Sequence, residues 1–308
     1  MATQQDIKNR ISSVKNIRKI TRAMEMVAAA RLRKAEERIE EMRPYAQAIR
    51  KMTQQTADAA GVGAGSRVPL LQKREQVKRV GVLVVTGDRG LAGSFNSQIV
   101  RAGIDQKREI ESEGAKAVFY AVGKRGNSSL SFRNQQVAEA FTGFTDKPSF
   151  ADAREIGDAL TSAYMDEELD RVELIYNRYV SPLTQYVRRH RLLPLQEAEV
   201  FGEGVPDEKV EGDDDLIEAH NRAEWVYEPE PEQALQMLFS EYVDLSVYRA
   251  LLESTASEHG SRMTAMRSAS ENAEEMIEDL SLEANRARQD EITQEILEVV
   301  SGAEALSG

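Results

Sequence analysis

The chain has 308 residues, no cysteine, and a formal net charge of -12 from 40 Lys/Arg and 52 Asp/Glu. The missing cysteines exclude a disulfide framework and thiolate metal sites, and no apolar run approaches the roughly 20 residues that span a bilayer as a helix. The length fits one or two domains, and the polar start "MATQQDIKNR" lacks the apolar core of a secretion signal.

The charge is unevenly spread. Residues 1–60 carry 13 Lys/Arg against 7 Asp/Glu, and residues 197–308 carry 7 against 29. The basic N-terminal part has no interleaved aromatics to stack bases, so a solvated helix face is the simpler reading and no nucleic-acid partner is expected.

Residues 3–60 read as one helix. Ile7, Ile11, Val14, Ile17, Ile20, Met24 and Val27 recur at steps of three and four and make one apolar stripe. "MEMVAAARLRKAEERIEEM" is dense in strong helix formers. Pro44 can kink the helix locally without ending the pattern, and "GVGAGSRVP" at 61–69 stops it.

Residues 77–195 change character. "VKRVGVLVVTG" reads as a buried strand, "SFNSQIVRAGIDQKREIESEG" as a helix ending at Gly114, and "AKAVFYAVG" as a second strand. "SFADAREIGDALTSAYMDEEL" is a further helix with Ser149 as its N-cap. "RVELIYNRYVS" and "TQYVRRHRLLPL" are strands separated by a turn at Pro182. Alternating strand and helix imply a small α/β domain with a mostly parallel sheet.

Residues 197–228 are acidic and irregular. Asp213, Asp214 and Asp215 are adjacent and lack the spacing of a calcium loop, so a solvated loop near 203–218 is expected rather than a metal site. Residues 232–301 then return to a helical pattern. Leu235, Leu238, Tyr242, Leu245, Tyr248 and Leu252 form a stripe that Met263, Met266, Ala269, Ala273, Met276, Ile277, Leu280, Ala284 and Ala287 continue.

Each stripe reads as too narrow for a globular core. Two long helices at the chain ends therefore predict an antiparallel coiled coil, with the α/β domain beside it like a knob on a rod. The expected division is 1–68 for the first shaft helix, 69–228 for a Rossmann-like α/β domain, and 229–308 for the second shaft helix.

The stretch "VVTGDRGLAGSFN" at 84–96 places Gly87, Gly90 and Gly93 between a strand and a helix. A phosphate loop needs Gly-x-x-x-x-Gly-Lys-Ser/Thr and a dinucleotide turn needs Gly-x-Gly-x-x-Gly. The spacing here is Gly-x-x-Gly-x-x-Gly with no lysine near, so neither pattern fits. The glycines read as a structural turn in which positive φ is cheap, and no cofactor is expected. His190, His220 and His259 have no metal-ligand spacing, and no catalytic constellation is present. A nucleotide-dependent enzyme and a generic coiled-coil or RNA-binding scaffold are the rival readings.

Over essentially its whole length the chain resembles the gamma subunit of F-type ATP synthase. "RISSVKNIRKITRAMEMVAAARLRKAEE" is similar to the family's first helix, "TGDRGLAGSFN" to its internal glycine motif, and "ITQEILEVVSGAEA" at 292–305 to its terminal signature. Ala92 and Ser94 depart from the cysteine and glycine common there, small residue for small residue.

The resemblance implies a non-catalytic rotor shaft. It would turn inside a ring of three alpha and three beta subunits and stand, with epsilon, on a c-ring. Ion-driven rotation of the c-ring would thereby be coupled to ATP synthesis or hydrolysis in the ring. Contact with the membrane would run only through these partners, at the cytoplasmic face of a bacterial cell membrane. By matching positions, Met24, Arg288, Gln289, Thr293 and Glu298 are implied contacts with the ring. Arg31, Arg33 and Lys34 are implied basic partners for an acidic lever segment of beta. The apolar tip "EILEVVSGAEALSG" is implied to be a bearing surface.

Overall fold

The computed structural model describes residues 4–60, 68–196 and 230–307. The N-terminal stripe forms helix α1, Gln4–Ala60, and the C-terminal stripe forms α5, Pro231–Ser307. At 1.5 Å per residue these are about 85 and about 115 Å long. Pro44 lies inside α1 without ending it.

The two helices run antiparallel in one register. Arg18 pairs with Glu274 at 2.6 Å, Thr21 meets Ser270, and Glu25 accepts from Arg267 at 2.9 Å. Further along, Leu32 and Ala35 pack on Ala256, and Met42 and Ile49 pack on Leu245 and Leu252. Each step along α1 is matched by an equal step back along α5. Extended to the start of α1, this register brings Gln4 level with Arg288, so residues 288–307 of α5 run on past their partner.

Between the helices the chain builds β1 (Arg79–Val85), α2 (Phe95–Ser112), β2 (Lys116–Val122), α3 (Lys124–Phe132), β3 (Val137–Phe141), α4 (Phe150–Met165), β4 (Arg171–Tyr179) and β5 (Gln185–Leu193). The sheet order is β3-β2-β1-β4-β5. The first four strands are parallel, and β5 folds back antiparallel on β4. The apolar run of β1 is buried throughout from Val80 because both faces of the sheet are covered. On one face Phe95, Ile99 and Ile110 of α2 meet Val80, Val82 and Val84. On the other, Ile156, Leu160 and Tyr164 of α4 join Leu83 and Val85.

Helix α5 belongs to that second core as well. Leu235, Phe239, Val243, Val247 and Leu251 are buried in it. The stripe that reads as too narrow for a globular core thus serves two cores, its other side closing on α1. The sheet is fused along the shaft rather than set beside it.

Ser149 caps α4 as expected. Its hydroxyl accepts from the Asp152 amide, and the Asp152 carboxylate accepts from the Ser149 amide, a reciprocal box. Gly114 follows α2 at φ +87°. No local pattern announces α3 or β3. The α3 segment "KRGNSSLSF" is short, rich in poor helix formers, and buries only Leu130 fully among its apolar side chains. The β3 segment "VAEAF" is a half-exposed edge strand without a β-branched run. The acidic loop 203–218, the three aspartates and the 228/229 boundary lie outside the described residues.

Candidate functional site

The glycine turn sits where the parallel strands end, and its polar groups are engaged within the domain. Asp88 accepts from the Lys124 amide at 3.0 Å, the Gly143 amide at 2.9 Å, and the Thr145 hydroxyl at 3.0 Å. One carboxylate thereby ties together the loops that follow β1, β2 and β3. The Gly87 amide donates to Asn96 Oδ1 at 2.9 Å, and the Thr86 hydroxyl accepts from the Gly126 amide.

Of the three glycines, Gly93 adopts a positive φ, +55°, and Leu91 beside it adopts +64°. Gly87 and Gly90 do not use the left-handed region. At Gly87 the constraint is space: a Cβ there would lie 2.6 Å from the Glu258 carboxylate of α5. Glu258 in turn accepts from Arg262 at 2.5 Å, both being buried. Burial pushes the Glu258 carboxyl up, against the pull of the Arg262 guanidinium.

Beside this turn a cavity of about 560 Å³ opens between α1 and the domain. Ile20, Met24 and Val27 supply an apolar floor, and Arg31, Arg89 and Arg125 stand around it. Arg31 and Arg89 share Asp146, at 2.9 and 3.2 Å, so one carboxylate faces two guanidiniums. His259 also lines the cavity. Burial, then Arg262, lowers its pKa to about 4, so it is neutral at pH 7 and the positive charge here comes from arginine.

The structure therefore brings Met24 and Arg31 together at one cavity. Arg33 and Lys34 lie apart from it, facing solvent, with Arg33 paired to Glu37 at 3.4 Å. Arg288, Gln289 and Thr293 lie far along α5, exposed, and the Thr293 hydroxyl donates back to the Gln289 carbonyl at 2.8 Å. The Glu298 side chain lies outside the described residues. Around these positions Ile292, Ile296, Leu297, Val299 and Val300 are 48–72 % exposed on a helix without its coiled-coil partner.

The sequence reading did not pick out Arg89, Arg125 or Arg262. Arg89 stands inside the glycine motif, between Gly87 and Gly90. Arg125 and Arg262 reach the cavity only through the fold.

The ATP synthase family model matches residues 3–306. The ATP synthase gamma chain of Rubrobacter xylanophilus is 42% identical over 307 residues, covering 100% of this chain and 99% of its own. That of Moorella thermoacetica is 41% identical, covering 99% and 100%.

The chain belongs to the ATP synthase gamma-chain family.

The solved central stalk and c-ring of the Tetrahymena thermophila mitochondrial ATP synthase contains a chain 30% identical to this one. It aligns with a TM-score of 0.58 over 82% of this chain and 99% of its own. A chain of the Euglena gracilis mitochondrial ATP synthase, at 19% identity and a TM-score of 0.66, covers 98% of this chain and shows the shared fold. Among the described residues, no helix is long and apolar enough to cross a membrane.

Proposed function

We propose that this chain is the central rotor shaft of an ATP synthase, itself non-catalytic, with its tip held in the alpha/beta ring and its α/β domain standing with epsilon on the c-ring. It couples ion-driven rotation of that ring to ATP synthesis or hydrolysis in the alpha and beta subunits. Its place is the cytoplasmic face of a bacterial cell membrane, and it meets the membrane only through partners. Residues 1–68 and 229–308 serve as the shaft and 69–228 as the domain.

The observation that carries this reading is the bare tip. Residues 288–307 extend about 30 Å beyond the seam as a single helix, with Ile292, Ile296, Leu297, Val299 and Val300 turned outward. Exposed apolar rows of this kind mark a surface made for a partner. A sleeve that must allow turning is suited by small apolar contacts rather than fixed ion pairs. Arg288, Gln289, Thr293 and Glu298 form the upper contact with the ring, and Met24 with Arg31, Arg33 and Lys34 the lower one. At the lower contact the arginine-rimmed cavity favours an acidic segment of beta that carries an apolar side chain, since the charge steers and the floor seats it. Gly87, Gly90 and Gly93 stay structural.

Co-expression with the alpha and beta subunits, followed by native mass and ATPase assay, tests the reading. A particle of three alpha, three beta and one gamma, active with this chain, is the expected result. A free monomer that never joins the ring overturns it. Arg31→Ala alone should change little, since isolated surface charges contribute under about 1 kcal/mol. Joint replacement of Arg31, Arg89 and Arg125 by Ala should weaken turnover and its salt dependence together.

A further inference from the structure

In open α/β sheets ligands bind outside the carboxyl ends of the strands, where the strand order reverses. In the order β3-β2-β1-β4-β5 that point lies between β1 and β4. Here the place is filled by the chain's own shaft. Residues 251–260 of α5 are buried on every side, polar ones included.

Their polar side chains reach the strand ends one after another. The Ser254 hydroxyl donates to the Val85 carbonyl at the end of β1, at 3.3 Å. The Ser257 hydroxyl donates to the Asn177 carbonyl of β4, at 3.2 Å. The Thr255 hydroxyl donates to the Thr145 carbonyl beyond β3 at 2.9 Å, and the Ser261 hydroxyl to Gln185 Oε1 of β5 at 2.7 Å. Glu258 presses on Gly87 where the glycine turn leaves β1, and Arg262 donates to the Gly90 carbonyl at 3.2 Å. A surface helix has one buried stripe. A helix buried all round, with hydrogen bonds to β1, β4, β5 and the loop after β3, is held like a ligand.

We propose that residues 251–262 are the resident occupant of the α/β domain's ligand crevice, and that Glu258, seated on Gly87 and held by Arg262, is the positioning residue that fixes the rotational setting of the shaft in the domain. The substitute for a bound nucleotide is a carboxylate and its guanidinium supplied by the same chain. Around this helix, displacement along or about the axis separates Glu258 from Gly87, where any side chain in place of glycine would block its return. The proposal rests on the shaft reading, because a rotational setting matters only where torque passes from domain to helix.

The test uses the complete ion-pumping enzyme in sealed vesicles, comparing ATP hydrolysis with ion uptake per ATP. Glu258→Gln keeps the shape and removes the charge. Gly87→Ala keeps the charge and displaces it. Both should assemble and hydrolyse ATP nearly as the wild type does, while uptake per ATP falls about threefold or more. A merely structural role would lower hydrolysis and uptake together. Unchanged uptake per ATP in both variants overturns the proposal, as does a parallel loss of the two activities.

Should either variant fail to assemble, the double replacement Thr145→Cys with Thr255→Cys decides, since this chain has no cysteine of its own. Oxidation that joins domain to shaft should leave coupled uptake intact. Loss of uptake reversed by a thiol would show that the helix moves in the crevice, and would overturn the proposal. A wild-type chain that does not assemble or pump would instead overturn the shaft reading.

Discussion

The hydroxyls of Thr21 and Ser270 meet at 2.7 Å across the seam of the two long helices, both residues being buried. Thr21 donates to the Arg18 carbonyl at 3.0 Å, which leaves its lone pairs to accept from Ser270. One buried polar pair in an apolar seam specifies register more than it adds stability. Thr21→Ala removes the acceptor of Ser270 and should cost about 1 kcal/mol. The double replacement Thr21→Ala with Ser270→Ala should cost less than the sum of the single ones. A denaturant melt followed by circular dichroism over the four chains gives the coupling, and strict additivity would show that the pair does not interact.

Asp244 predicts a pH dependence. Burial, then Asp158 and Glu241, push its carboxyl up to about 7 from an ordinary 3.8, against the pull of Arg154. Between those values the folded chain keeps a proton that the unfolded chain has lost. The contribution of this group to stability is therefore present below pH 3.8 and drains away as pH rises through about 7. Asp244→Asn removes the drain. The variant should gain about 1–2 kcal/mol over wild type at mildly alkaline pH, with a smaller or reversed difference in acid. Equal pH profiles of the two melting temperatures would count against it.

The same carboxylate limits α4. A Cβ on Gly157 would run into Asp244 Oδ1 and close on its Cγ at 3.1 Å. Gly157→Ala should therefore destabilise by about 1–3 kcal/mol through overpacking, despite the better helix propensity of alanine. Exposed helix sites respond to the same replacement with a gain, so the sign of the shift in a thermal melt is the check.

Removal of residues 288–308 should spare the fold. The register places them beyond the start of α1, and the side chains of 288–297 are exposed. The truncated chain is expected to melt with the wild type, to join the alpha/beta ring, and to support weaker ATP turnover. A large loss of thermal stability would mean that the tip packs against the rest of this chain.

Much of this was readable before the fold. The steps of three and four in Ile7 to Val27 and in Leu235 to Leu252 announced long helices, and the β-branched run at 80–85 announced a buried strand. On α1, however, the seam runs through Ile7, Thr21, Ala28 and Ala35, while Ile17, Ile20 and Val27 of the expected stripe are more than half exposed. Ser149 announced its cap. The small weak elements at 124–141 were not readable, because little in "KRGNSSLSF" or "VAEAF" prefers helix or strand until neighbours cover one side. Of the candidate contacts, Met24 and Arg31 fall at one cavity. Their companions Arg125 and Arg262 are separated from them by about a hundred residues or more of chain, which no local pattern can bridge.

The sequence by itself determined the family, the two shaft helices and the strands and helices outside 124–141. These follow from local periodicity and from long specific motifs. It also excluded the known phosphate turns, by the spacing of Gly87, Gly90 and Gly93. Only the tertiary structure decided why those glycines are there. Gly93 turns the chain, whereas Gly87 makes room for Glu258 from 171 residues away. Steric exclusion between remote segments leaves no periodic trace in either one, so it becomes visible only when the shaft lies in the crevice.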